Sequence, residues 1–166
     1  MVIEHPFEWV DEEATQAWAQ TLAQQPGLVH ATLELHGDLG AGKTTFVRHL
    51  LRALGVQGRI KSPTYALVEP HLAPSNPMWP QGLRISHFDL YRFNDPRELE
   101  EAGLRELLSE DGLKIVEWAD KAGAHRPAAD LHLLLTPQAD DSRIVMAKAF
   151  TTVGHQLLKP WLHKTP

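Results

Sequence analysis

Gly37-Asp38-Leu39-Gly40-Ala41-Gly42-Lys43-Thr44 matches G-x-x-x-x-G-K-[ST] at every fixed position. Each residue type follows from one task, the holding of a polyphosphate. Backbone N–H groups must approach the anion closely, and side chains would block them. Glycines at 37, 40 and 42 let the chain curl with its amides inward. Lys43 supplies charge to the outer phosphates, and the Thr44 hydroxyl is suited to a magnesium ion. The bland alternative is a glycine-rich turn that happens to precede a lysine. The flanks argue against it. Ala31-Thr-Leu-Glu-Leu35 alternates as a strand does, and Phe46, Val47, Leu50, Leu51 and Leu54 recur at helical spacing before Gly55. Strand, loop, helix is the context in which this motif binds phosphate at a helix N-terminus.

Working outward, Asp11 to Ala23 reads as an amphipathic helix with acids in its first turn. Tyr65 to Val68 is a short apolar run. Prolines 74, 77 and 80 make His71 to Gly82 read as a surface loop. Leu83 to Leu90 and Leu113 to Glu117 are strands, and Asp95-Pro96 opens a helix. A second short helix is expected over Leu104 to Leu108. Leu131 to Leu135 and Ile144 to Phe150 read as a strand pair across Gln138 to Ser142, and Thr152 to His163 as a helix interrupted at Pro160. The pattern predicts a three-layer α/β fold of P-loop type, with a mostly parallel central sheet and antiparallel edge strands. One domain is expected over 1–166, with a core at about 5–150 and a helical tail at 151–166.

Composition narrows the function classes. The chain has no cysteine, which removes disulfides, cysteine-ligated zinc and thiol chemistry. Its formal net charge is -5, so the basic face of a direct nucleic-acid binder is missing on average. Any RNA role is expected to run through a partner protein. The first sixteen residues have no basic start and no apolar core, so they do not read as a signal peptide. No run is long and apolar enough for a membrane span. The expected location is the cytoplasm.

A P-loop site also needs an acid near the magnesium ion and a group that orients the attacking water. Asp89 and Glu117 each close an apolar strand, where an α/β sheet places such groups. Which of the two touches the metal is open at this level. Ser62-Pro63-Thr64-Tyr65 reads either as a phosphate-sensing segment or as an ordinary turn. The ten histidines show no short metal-ligand spacing. His87 alone is kept, as a neighbour of the metal site. Trp79 and Trp161 are marked as candidates for partner contact.

Four strings together resemble the TsaE family: residues 37–46, Lys61-Ser-Pro-Thr-Tyr65, His87-Phe-Asp-Leu-Tyr-Arg92 and Val116-Glu-Trp118. Asp95 to Glu100 with Gly103-Leu104 is similar too. The resemblance implies an ATP- and Mg²⁺-dependent ATPase that acts with the TsaB–TsaD heterodimer in forming threonylcarbamoyladenosine at position 37 of tRNA. The tRNA would be met only through that complex. It further implies Lys43, Asp89 and Glu117 as catalytic residues, with Thr44, Glu117 and Asp89 around the metal. The implied nucleotide contacts are Thr15, Gly37, Asp38, Leu39, Gly40, Ala41, Gly42, Lys43, Thr44, Thr45, Ser62, Thr64 and Arg143. Trp118 is read as packing or partner contact. The chain departs from the family pattern at Ala119-Asp120, where proline is expected after the tryptophan, and in its proline-rich 71–82 loop. The alternatives are a nucleotide-gated assembly module without essential hydrolysis, and a small-molecule kinase.

Overall fold

A computed structural model describes residues 1–63 and 66–162. Its strands are β1 (Ile3–Trp9), β2 (Thr32–His36), β3 (Val68–Ala73), β4 (Leu83–Asp89), β5 (Leu113–Glu117), β6 (Leu131–Pro137) and β7 (Arg143–Ala149). Its helices are α1 (Glu12–Ala23), α2 (Lys43–Ala53), α3 (Pro96–Glu101), α4 (Leu104–Leu108) and α5 (Thr152–Leu162). All the strands join one sheet in the order β1-β7-β6-β2-β5-β4-β3. The central four, β6, β2, β5 and β4, are parallel. β3 at one edge, and β7 with β1 at the other, run antiparallel to their neighbours.

Burial makes this a three-layer structure. Trp18 and Leu22 of α1, Phe46 and Leu50 of α2, and Leu157 and Leu158 of α5 pack with Leu33, Leu35, Ile115 and Leu133 of the sheet. On the opposite face Leu99 and Leu104 cover Phe88 and Val116. Leu33, Leu35, Ile115, Leu131 and Leu133 are fully buried, and each contributes roughly 1.5–3 kcal/mol relative to exposure. A one-residue slip would turn all of them to the wrong face. The register is thereby fixed, and it sets Asp89 directly beside Glu117. The helix ends follow their caps. Asp11 Oδ1 accepts the Ala14 N–H at 2.8 Å, and Asp95 Oδ1 accepts that of Arg97 at 3.0 Å.

The structure departs from the sequence expectations in several places. The N-terminal strand β1 was not foreseen, although Ile3, Phe7 and Trp9 alternate with more exposed residues along it. Part of the expected 71–82 loop, His71 to Ala73, completes β3, which pairs with Leu83 to Phe88. Pro70 is tolerated there because β3 lies at the sheet edge. Trp79 is 5% exposed and belongs to the main core. Trp161 stacks on Trp18 with centroids 4.1 Å apart. Both tryptophans therefore serve packing. The helix expected over Thr152 to His163 with an interruption at Pro160 runs through Pro160 without a break to Leu162. Pro160 lacks the N–H that would bond back to Gln156 O, and its place near the helix end confines that loss to the last turn. Tyr65 and His163 lie outside the described residues.

Candidate functional site

β2 delivers the chain into the loop at its carboxyl end, and α2 leaves it. Gly37 and Gly42 show why glycine is required. Gly37 has φ +143°, and a Cβ there would meet Leu135 O at 2.7 Å and Ala41 Cβ at 2.9 Å. Gly42 caps α2 at φ +106°, a conformation L side chains rarely adopt. Within the loop Ala41 N–H donates to Asp38 O at 3.0 Å, and Phe46 N–H closes the first helical turn on Gly42 O. Arg143, at the start of β7, braces the loop. Its Nε donates to Ala41 O at 3.0 Å and its Nη1 to Asp141 O at 2.7 Å.

Lys43 is 5% exposed. Its Nζ donates to Gly37 O at 2.6 Å and lies 3.9 Å from the centre of the Trp118 ring. Desolvation pulls the ammonium pKa below the usual lysine range, and the charges of Glu117, Asp89, Asp38 and Asp120 only partly offset it. Trp118 holds the left-handed conformation, φ 58°, at the point where β5 turns away from the sheet. The sequence reading did not place this ring in the cleft. Its tie to Glu117 was visible, but its approach to Lys43 depends on that turn.

Asp89 and Glu117 stand side by side at the ends of β4 and β5. Glu117 is 2% exposed, and its Oε2 faces His87 Nε2 at 2.6 Å across the same parallel pair. His87 is thus a direct neighbour of the Glu117 carboxylate. Asp89 Oδ1 accepts the Tyr91 N–H at 2.9 Å. Burial raises its pKa above the usual aspartate range, against that hydrogen bond, and Glu117 adds to the rise. The folded state holds the Asp89 proton more tightly than the unfolded chain does, so stability falls as pH rises through the carboxylate range. Asp89→Asn keeps an oxygen for Tyr91 and removes the partly buried charge. In chelator, without nucleotide, it should melt higher than the unsubstituted chain at pH 7, and the gap should close as pH falls. A lower melting temperature at pH 7 would contradict this.

The cleft, about 220 Å³, is lined by Gly42, Lys43, Thr44, Thr45, Asp89, Glu117, Trp118 and Arg143, with Leu39 and Gly40 at the rim. Thr15, on α1, borders an adjoining hollow with Trp9, Gly42, Thr45 and Arg143. Its hydroxyl donates to Asp11 O at 3.4 Å. A larger cavity of about 330 Å³ adjoins the cleft, sharing Leu39 and Asp89 with it and bounded also by Pro63, Tyr91 and Arg92. Asp38 is exposed in the loop turn, and Ala41 is buried beneath it. Ser62 is exposed and lines none of these hollows, whereas its neighbour Pro63 does. Thr64 lies outside the described residues. The arrangement joins a helix N-terminus, a desolvated cation and two adjacent carboxylates.

The TsaE family model, "Threonylcarbamoyl adenosine biosynthesis protein TsaE", matches residues 9–145. The tRNA threonylcarbamoyladenosine biosynthesis protein TsaE of Haemophilus influenzae is 42% identical over 124 residues, covering 75% of this chain and 73% of its own. Its counterpart from Bacillus subtilis is 34% identical over 149 residues, covering 89% and 85%. A crystal structure of Bacillus subtilis YdiB superposes with a TM-score of 0.72 at 28% identity. That match covers 96% of this chain and 95% of the other.

Proposed function

The chain belongs to the TsaE family of threonylcarbamoyl adenosine biosynthesis proteins, and from that premise we propose that it binds and hydrolyses ATP with Mg²⁺ in support of a TsaB–TsaD pair acting on tRNA. The observation that carries this reading is the convergence of Lys43, Thr44, Asp89 and Glu117 on one cleft at the carboxyl ends of parallel strands.

The donor set fits magnesium. A hydroxyl and two carboxylates are hard oxygen donors, and His87 is turned to Glu117 instead. Thr44, Asp89 and Glu117 would hold the ion, which when bound neutralises charge on the phosphate oxygens. The loop amides donate hydrogen bonds to the phosphate oxygens. Lys43 exchanges Gly37 O and the Trp118 ring for the outer phosphates. Its attraction is strong because it is already desolvated. His87 orients the Glu117 carboxylate through their buried contact. Arg143, bound to two backbone carbonyls, holds the loop in shape. Catalysis on this reading is positioning and electrostatics.

Turnover is slow for the chain alone and rises with the partner pair. Phosphate release should increase at least about tenfold when TsaB and TsaD are added, the effect of about 1.4 kcal/mol of extra transition-state stabilisation. Rapid hydrolysis indifferent to the partners would refute the reading. The lysine exchange has its own signature. As Lys43 leaves the Trp118 ring, indole emission should change on adding Mg-ATP, and Trp118→Phe should remove most of that change. An equal change in both proteins would show that the ring does not sense the lysine.

A further inference from the structure

The face of the sheet opposite α2 carries a cluster that the phosphate chemistry does not use. Leu33, Leu35, Leu131 and Leu133 are buried in the core, so alternation turns Glu34, His36 and His132 to the other side. Parallel register sets Glu34 beside His132 and His36 beside Leu134. Glu34 is 1% exposed. Its Oε1 lies 3.0 Å from His36 Nε2, 3.3 Å from His132 Nε2, and within hydrogen-bond distance of Arg126 Nε and Nη2.

One carboxylate oxygen thus faces four nitrogens, more donors than its two lone pairs can serve. His36 Nε2 also stands 3.3 Å from Arg126 Nη2. It cannot donate to Glu34 and accept from Arg126 at once. Three groups on two rigid strands point at one small volume. The ligand atoms of Glu34, His36 and His132 all lie within 4.8 Å of one another. A tetrahedral zinc site with bonds of about 2.0–2.1 Å spaces its ligand atoms by roughly 3.3 Å. The contacts of Glu34 with the two rings have that spacing.

We propose that Glu34, His36 and His132 form a second metal site, which takes a late first-row divalent ion, Zn²⁺ in the first place. Two imidazoles and one carboxylate are the donors of zinc rather than of magnesium. The site is therefore chemically separate from the oxygen donors of the phosphate cleft. Arg126 is its competitor. That side chain is 37% exposed, free to leave Oε1 to the ion while its Nε, 3.4 Å from Oε2, stays on the other oxygen. Bound zinc ties the end of β2 to β6 one residue before Gly37, and so steadies the base of the phosphate loop.

Calorimetric titration of the full chain with ZnCl₂ tests this, after chelator treatment and in millimolar Mg²⁺ without nucleotide. About one equivalent should bind. His36→Ala and His132→Gln should each weaken uptake about 100-fold or more, at least the loss typical of a metal's outer partners. His132→Gln can still hydrogen-bond Glu34, so its loss separates ligation from simple pairing, and circular dichroism confirms its fold. Arg126→Ala should tighten binding, because the competing cation is gone. His155→Ala, far along the sequence on α5, should change nothing. Uptake that His132→Gln leaves intact, or that Arg126→Ala weakens, would reduce the cluster to an ion pair with flanking imidazoles and overturn the proposal.

Discussion

Lys43→Ala is expected to lower ATP hydrolysis by roughly 10²–10³-fold, the cost of removing one preorganised charge donor from a phosphate or oxyanion site. The fold should survive. Lys43 is buried at an energetic cost, since desolvation pulls its pKa down despite four neighbouring carboxylates. Removing the ammonium relieves that cost, and the loop keeps its brace through Arg143 and Ala41 O. The lost contact is the bond to Gly37 O, worth about 1 kcal/mol net. Phosphate release and a melting curve on the same sample check both halves. A protein that hydrolyses ATP at the original rate would remove Lys43 from the mechanism. One that loses activity by unfolding would assign the lysine to stability instead.

Glu117→Gln is the second large effect, a fall in hydrolysis of about 10²-fold or more from loss of a charge at the metal and phosphates. Glutamine retains an oxygen for His87, so the buried pair persists. Glu117→Ala behaves differently. It leaves His87 Nε2 buried without its partner, and an unsatisfied buried group costs about 1–3 kcal/mol. His87 Nδ1 already has no hydrogen-bond partner among the described residues. The two substitutions should therefore match in lost turnover and differ in melting temperature, with alanine lower. Equal melting temperatures would mean that the His87–Glu117 contact carries no stability. Glu117→Gln also separates hydrolysis from occupancy. If it binds ATP, fails to cleave it and still supports repeated tRNA modification, the protein works as a nucleotide-gated module.

The parts of this molecule that were legible in the sequence are those that chemistry dictates locally. A loop that curls at positive φ needs glycine at particular positions, whatever surrounds it, and Gly37, Gly40 and Gly42 stand at those positions between β2 and α2. Strand ends carrying Asp89 and Glu117 were legible for the same reason, because apolar runs stop at an acid. What the sequence hid depends on neighbours far along the chain. β1 was missed because Pro6 argues against a strand until an edge position is known. Trp79 sits among prolines and reads as surface, but the β3–β4 hairpin carries it into the core. The cluster of Glu34, His36, Arg126 and His132 joins segments about ninety residues apart. The parallel register of β2 and β6 brings Glu34 and His36 to His132, Arg126 reaches them from the segment before β6, and no short histidine spacing announces the cluster.

Titration calorimetry of the intact chain with ATP, in the presence and absence of Mg²⁺, tests the central claim most directly. One equivalent of ATP should bind with magnesium present, and uptake should weaken strongly in chelator or with Lys43→Ala. No uptake of Mg-ATP, or uptake unchanged by removing Lys43, would contradict it.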